Sequence, residues 1–101
     1  MTYAFLSPAR GELQEAVDFY NARQAGLGEE FAAEVVNTIH RILATPESWA
    51  RLSKNTRRCR LRRFPYGLIY QIQADRILIV AVMHRRKKPE YWLARLRTTS
   101  P

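Results

Sequence analysis

The chain has 101 residues, of which 47% are hydrophobic and 11% aromatic, and its formal net charge is +8. This composition argues against a disordered chain, no apolar run approaches the ~20 residues that span a bilayer, and the N-terminus lacks the pattern of a signal peptide. The single cysteine, Cys59, excludes an internal disulfide and any zinc site built from several cysteines. We therefore expect one domain over residues 1–101, located in the cytoplasm, with no cofactor and no bound metal.

The N-terminal part predicts a strand followed by a helix. Residues 2–6 are expected to form a short first strand. Ser7 is then expected to cap the helix with its hydroxyl, with Pro8 at the first helical position and Gly26 as the stop after the last turn. Apolar residues recur between these signals at helical spacing: Leu13, Ala16, Val17 and Tyr20.

A second helix is expected to begin at Gly28 and to end at Thr45, because a residue before proline, here Pro46, avoids the α region. Its apolar face consists of Phe31, Val35, Ile39, Ile42 and Leu43. The link 26–28 is too short for anything except an antiparallel helical hairpin. Residues 46–56 are expected to form a loop.

The remaining half of the chain predicts an antiparallel meander of three strands, at residues 57–63, 68–73 and 76–84. The first strand alternates, with Cys59 and Leu61 on one face and Arg58, Arg60 and Arg62 on the other. Cys59 is expected to be a buried strand residue, although its cationic neighbours leave a reactive thiol as the alternative.

The last strand is apolar on both faces, which predicts a central strand that is covered on both sides. Strict alternation gives Ile77, Ile79, Ala81 and Met83 on one face and Leu78, Val80 and Val82 on the other. The helical hairpin is expected to cover one side and a short helix at 91–96 the other. The predicted fold class is α+β: an N-terminal strand, an antiparallel helical hairpin, a three-stranded antiparallel meander and a short C-terminal helix.

Charge is distributed unevenly over these elements. Residues 1–50 contain 3 Lys or Arg and 7 Asp or Glu, a balance of −4, whereas residues 51–101 contain 14 and 2, a balance of +12. Positive charge concentrated on a small sheet indicates an anionic partner. The charge alone leaves open whether that partner is nucleic acid, an acidic protein segment or both.

Two clusters of residues could carry the function. The first is a row of arginines suited to bidentate contacts with phosphates or carboxylates, for which a solvated strand face is the alternative: Arg57, Arg58, Arg60, Arg62 and Arg63. The second starts at His84, continues through four cations and ends at Tyr91 and Trp92. A histidine, arginines and a phenol are the parts of a metal-free ribonuclease. A structural His84 and a Trp92 that packs over the sheet are the alternatives.

Several segments together carry a family resemblance. In order they are Ser7-Pro8-Ala9, the Gly26-Leu27-Gly28…Phe31 elbow, Arg62-Arg63-Phe64-Pro65-Tyr66-Gly67-Leu68-Ile69-Tyr70, Ala81-Val82-Met83-His84-Arg85-Arg86 and Pro89-Glu90-Tyr91-Trp92. This combination resembles the RelE/ParE superfamily of toxins from type II toxin–antitoxin systems, across residues 3 to 95. The resemblance implies a cognate antitoxin as a partner.

The superfamily contains two activities. RelE-like members cut mRNA on the ribosome, whereas ParE-like members share the fold and poison DNA gyrase. The long hairpin, the Phe-Pro-Tyr turn and the C-terminal segment look more like the ParE branch. The strand lysines of some RelE-like enzymes are replaced here by arginines, which cannot give up a proton near neutral pH.

The resemblance therefore implies a ParE-like toxin that binds gyrase and breaks no bond. The residues expected to bind the target or the antitoxin are Arg58, Arg60, Arg62, Arg85, Arg86 and Trp92. In the alternative, a ribosome-dependent mRNA endonuclease, the site residues would be His84, Tyr91, Arg62, Arg63 and Arg86.

Overall fold

A five-stranded sheet carries a helical hairpin on one face and a short helix on the other. The computed structural model describes residues 1–88 and 90–99, so that Pro89 of the Pro-Glu-Tyr-Trp segment, Ser100 and Pro101 lie outside the described residues. The elements are β1 (Thr2–Phe5), α1 (Ser7–Arg23), α2 (Leu27–Ala44), β2 (Ala50–Arg51), β3 (Arg57–Arg60), β4 (Tyr66–Ile72), β5 (Arg76–His84) and α3 (Leu93–Thr99).

The strand order is β1-β5-β4-β3-β2. β1 pairs with β5 in parallel, and the other neighbouring strands are antiparallel. The α+β prediction, the meander and the central position of the last strand are confirmed, while β2 lies in a segment predicted to be a loop. No helix among the described residues is long and apolar enough to cross a membrane.

The start of α1 differs from the prediction by one residue. Ser7 is the first helical residue, and Leu6, which has no side-chain hydrogen bond to offer, is the N-cap. Leu6 still belongs to the sheet through its N–H, which donates to the Ile79 carbonyl at 2.9 Å, while its own carbonyl accepts the Arg10 N–H at 3.0 Å. The predicted cap at Ser7 is therefore wrong, because the strand runs directly into the helix.

Two glycines shape the turn between the helices. Gly26 has a φ of 88° and is the N-cap of α2 rather than the residue that directly follows α1, which ends at Arg23. Gly28 lies against α1: its N–H donates to Asn21 Oδ1 at 2.8 Å, and a Cβ there would stand 2.6 Å from Asn21 Cγ. The predicted antiparallel hairpin thus depends on close contact at Gly28.

The hairpin-side core confirms the predicted helix faces. Phe31, Val35, Ile39 and Ile42 on α2 are at most 1% exposed. Tyr20, Phe31, Phe64 and Tyr66 form a cluster of edge-on and tilted rings whose centroids lie 4.9 to 6.2 Å apart, and each good aromatic pair adds ~0.5–1.5 kcal/mol. Cys59 is also fully buried in this core, and burial raises the pKa of its thiol.

A β-bulge changes the predicted faces of β5. Ile69 pairs with Ala81 but Tyr70 pairs with Ile79, which leaves Val80 without a cross-strand partner. The extra residue shifts the alternation. Val82 therefore joins Ile77 and Ile79 in the hairpin-side core, and Ala81 and Met83 join Val80 on the opposite face. The prediction of strict alternation is wrong for these three positions.

The C-terminal segment covers part of that opposite face, as predicted. Trp92 is 2% exposed and packs against a patch formed by Ile69, Val80, Ala81 and Met83. Tyr91 and Leu96 flank it. The patch that this segment covers is formed by residues of β4 and β5.

Candidate functional site

A basic groove lies where β3, β4 and the end of β5 meet. Its volume is about 560 Å³. The side chains and backbone that line it, which we call the arginine groove, are Arg58, Arg60, Leu61, Arg62, Arg63, Phe64, Pro65, Tyr66, Gly67, Met83, Arg85 and Lys87. Six cations thus line the groove together with apolar side chains, a composition suited to an acidic partner with apolar side chains.

The strand places two of these arginines. Arg58 and Arg60 alternate with the buried Cys59, so that they lie on the face opposite the helical hairpin. Gly67 is the cross-strand neighbour of Arg60, and a Cβ on Gly67 would stand 3.3 Å from Arg58 Cγ. The stem of Arg58 therefore lies over the glycine, which limits the positions its guanidinium can take.

The next two arginines are held by α2 and do not continue the strand. β3 ends at Arg60, so the predicted strand over 57–63 is too long. The Glu34 carboxylate accepts the N–H groups of both Arg62 and Arg63, the latter at 2.9 Å, and Arg63 Nη2 lies 3.0 Å from Glu30 Oε1. Adjacent backbone N–H groups that converge on one carboxylate form an anion-binding nest, which pulls the chain off the strand.

A second cavity, which we call the helix cleft, opens between α1 and the end of β5. It measures about 290 Å³, and Tyr66 and Lys87 border both it and the arginine groove. The other residues that line it are Glu12, Glu15, Ala16, Phe19, Val82, His84 and Tyr91. The two groups proposed for proton transfer in the nuclease interpretation, His84 and Tyr91, both lie here.

Tyr91 is fixed by a carboxylate from α1. Glu12 Oε2 accepts the Tyr91 hydroxyl at 2.7 Å and Arg95 Nη2 at 2.9 Å, while Oε1 accepts Arg95 Nη1 at 2.9 Å and the Val82 N–H at 3.0 Å. Burial, followed by the hydrogen bond to the Glu12 carboxylate, raises the pKa of Tyr91 above its usual range. The phenol is thus a poor proton donor at neutral pH.

Glu12 itself stays ionised in this network. Burial alone would raise its pKa, but the hydrogen bonds from Arg95, Tyr91 and the Val82 N–H outweigh burial and lower the pKa below its ordinary value of 4.5. Arg95 Nη1 also donates to the Val80 carbonyl at 3.0 Å. The carboxylate and the guanidinium therefore join α1, the bulged part of β5 and α3.

The His84 ring is turned towards the backbone. Its Nδ1 accepts the Arg86 N–H at 3.0 Å, so the neutral ring carries its proton on Nε2. Partial burial lowers the pKa of His84, and so do the cations that follow it in the chain. The ring stands edge-on to Tyr66, with 5.0 Å between centroids.

The structure brings together some of the predicted site residues and separates others. Arg58, Arg60, Arg62, Arg63 and Arg85 line one groove, and the Arg85 N–H donates to the Pro65 carbonyl at 2.9 Å. Arg86 is exposed beside His84. Trp92 is buried under the sheet, and its indole Nε1 has no hydrogen-bond partner in the described residues.

Sequence reasoning missed the acids that organise these cavities. Glu12 and Glu34 stand 83 and 29 residues from Arg95 and Arg63, the partners they hold. Their positions on the hairpin agree with a helical surface, and nothing in the local pattern distinguishes them from the other acids of α1 and α2.

Comparison with known proteins gives the same fold and a family. The structure of a chromosomal ParDE toxin–antitoxin system from P. aeruginosa matches with a TM-score of 0.73 at 15% identity, covering 83% of this chain and 95% of that one. No curated protein sequence gives a significant match. The family model for the ParE toxin of the type II toxin–antitoxin system parDE matches residues 3–89. This chain is a member of the ParE toxin family of type II toxin–antitoxin systems.

Proposed function

We propose that this toxin acts by binding DNA gyrase and blocking its cycle, without breaking a bond itself, and that a cognate antitoxin neutralises it. Membership of the ParE family supports the gyrase target. The observation that carries the choice of mechanism is that Glu12 already holds the Tyr91 hydroxyl, while Arg62 and Arg63 line a different cavity from His84 and Tyr91.

A metal-free ribonuclease needs these groups at one phosphate. Its base removes the 2′-hydroxyl proton while cations stabilise the phosphorane, so all of them must come within ~3 Å of the reacting atoms. Here Arg62 and Arg63 line the arginine groove, whereas His84 and Tyr91 line the helix cleft. The Tyr91 hydroxyl is already bound to Glu12. This arrangement favours a toxin that acts by binding.

The arginine groove fits the antitoxin that we propose as a partner. Leu61, Phe64, Pro65 and Met83 supply apolar surface between the cations. An acidic segment could therefore place apolar anchors in the groove and its carboxylates on the arginines.

Paired variants distinguish binding from catalysis in cells. His84→Gln with Tyr91→Phe removes proton transfer but keeps size, and we expect it to stay toxic. A ribonuclease would lose ~10²–10⁴-fold in rate. Arg60→Glu with Arg62→Glu reverses two exposed charges in the groove, and we expect growth arrest to disappear.

The control is Arg10→Glu with Arg97→Glu, which makes the same change in net charge on exposed positions of α1 and α3. It should remain toxic. Melting temperatures and soluble yields accompany every variant, since Tyr91→Phe also removes a hydrogen bond. A folded His84→Gln, Tyr91→Phe protein that no longer arrests growth contradicts the proposed mechanism.

The antitoxin proposal is tested by co-expression with the adjacent reading frame. Apolar burial should hold the complex together at ~0.5 M salt, where the Debye length falls to a few ångströms. A complex that fails to form, or that dissociates as soon as charges are screened, counts against the groove as the antitoxin site.

A further inference from the structure

A third cavity, basic like the arginine groove but separate from it, lies at the start of β3, whereas the arginine groove lies at the end of that strand. It measures about 350 Å³ and is formed by the β2–β3 hairpin, the end of β4 and the loop that follows α2. Three cations line it, Arg51, Lys54 and Arg57, against one acid, Glu47. We call it the hairpin pocket.

Two of these cations occupy opposite positions on neighbouring strands. Arg51 and Arg57 are cross-strand partners in the β2–β3 pair, and like charges placed opposite one another destabilise a sheet by up to ~1 kcal/mol. The ion pairs within residues 1–88 and 90–99 join Arg63 to Glu30 and Arg95 to Glu12. None of the three cations of the hairpin pocket takes part in an ion pair among these residues. An anion bound in the pocket beside these two side chains would offset their repulsion.

The pocket is also held in shape before a ligand arrives. Arg57 Nη1 donates to the carbonyls of Glu47 and Trp49, each at 3.0 Å, which fixes the guanidinium in the lining of the pocket. The loop is closed by the Leu52 N–H, which donates to the Thr56 carbonyl at 2.9 Å. A preorganised guanidinium binds an anion with a smaller loss of side-chain entropy.

We propose that the hairpin pocket binds the phosphates of a nucleic-acid backbone. The choice between phosphate and an acidic peptide follows from the lining. The arginine groove has apolar side chains that a peptide can use as an anchor, whereas Ile72 is the apolar side chain at the hairpin pocket and the amides of Asn55 and Gln71 accompany its cations. Cations accompanied by Asn, Gln and Thr side chains, as at this pocket, are typical of backbone contacts to nucleic acid. The proposal does not depend on the target of the toxin.

The test measures how salt weakens binding to a fluorescent DNA duplex of about 20 base pairs, between about 50 and 200 mM NaCl. Arg51→Gln with Lys54→Gln removes two exposed cations, and Arg10→Gln with Arg97→Gln is the control. Both variants lower the formal net charge from +8 by two. Each phosphate contact contributes ~0.9 to the slope of log K against log salt, so the pocket variant should lose about 1.8 units of slope.

Three results of the salt titration overturn the proposal: a wild-type protein that does not bind the duplex, a control variant that loses as much slope as the pocket variant, and a pocket variant that loses none.

An oligo-glutamate peptide of equal charge and inorganic phosphate are the competing probes. The pocket variant should keep its affinity for the peptide. If the pocket variant loses as much affinity for the peptide as it loses for the duplex, the pocket is a site for acidic protein instead. If millimolar inorganic phosphate abolishes duplex binding, the pocket binds free phosphate. Equal melting temperatures establish that the variants are folded.

Discussion

Replacement of Glu12 by glutamine is expected to lower the free energy of unfolding by about 3 kcal/mol. Each carboxylate oxygen accepts two donors, from Arg95 together with either Tyr91 or the Val82 N–H. The amide nitrogen of glutamine must face at least one of these donors, and the largely buried Arg95 loses its counter-charge. Hydrogen bonds to charged groups contribute ~1.5–3 kcal/mol each, and breaking a buried ion pair costs ~3–5 kcal/mol. Since the two side chains keep 17–18% exposure, we take the lower part of that range.

The assay is thermal unfolding followed by circular dichroism. For a chain of this size 1 kcal/mol corresponds to about 4–8 °C, so the melting temperature should fall by roughly 12–24 °C. Glu15→Gln, one turn further along α1 and exposed, is the matched control and should change it by less than about 4 °C. Equal melting temperatures for the two variants would refute the role assigned to Glu12.

The pH dependence of the unfolding free energy tests the role of Glu12 independently. The folded pKa of Glu12 is lowered from 4.5, so its contribution is fully present above pH 4.5 and is lost as the pH falls through the lower folded value. The wild type should therefore lose more stability than Glu12→Gln when the pH is lowered from about 5 to 3. Parallel losses in the two proteins would show that other carboxylates account for acid unfolding.

Two further predictions concern Trp92, which packs on the sheet, and Glu34, which binds the loop after β3. Trp92→Ala should cost ~3–5 kcal/mol of unfolding free energy. Trp92→Phe should cost clearly less, because it also removes a buried N–H that has no partner among the described residues. A phenylalanine variant as unstable as the alanine variant in thermal melting would contradict this. Glu34→Ala should speed exchange of the amide protons of residues 62–63 by about fivefold, since each bond is worth ~1 kcal/mol. Glu34→Gln, which keeps a carbonyl acceptor, should restore part of the protection, and unchanged exchange in the alanine variant would show that the carboxylate does not hold this loop.

The elements of this protein could be predicted because their signals are local. The apolar face of α2, the buried Cys59 and the doubly apolar β5 each follow from spacing within a few residues. The boundaries that failed depend on distant groups. The Ile79 carbonyl draws Leu6 into the sheet and moves the start of α1, and Glu34 ends β3 early by binding two N–H groups of the loop.

The bulge in β5 and the placement of the candidate site residues in two cavities could not be predicted either, because both depend on residues that are distant in the sequence. Val80 is as apolar as its neighbours, so hydrophobic pattern cannot show that it lacks a cross-strand partner. Tyr66 is the cross-strand partner of His84, but the sequence cannot show that Tyr66 borders two cavities, with arginines in one and the histidine in the other.

The central claim, that this toxin acts on gyrase by binding, is tested most directly with purified protein in a gyrase supercoiling assay. The same preparation is added to a translation reaction in which primer extension maps cuts in the mRNA. We expect supercoiling to be inhibited and the mRNA to remain intact, with the Arg60→Glu, Arg62→Glu protein inactive in the first assay. Cleavage of ribosome-bound mRNA together with unaffected supercoiling would contradict the account.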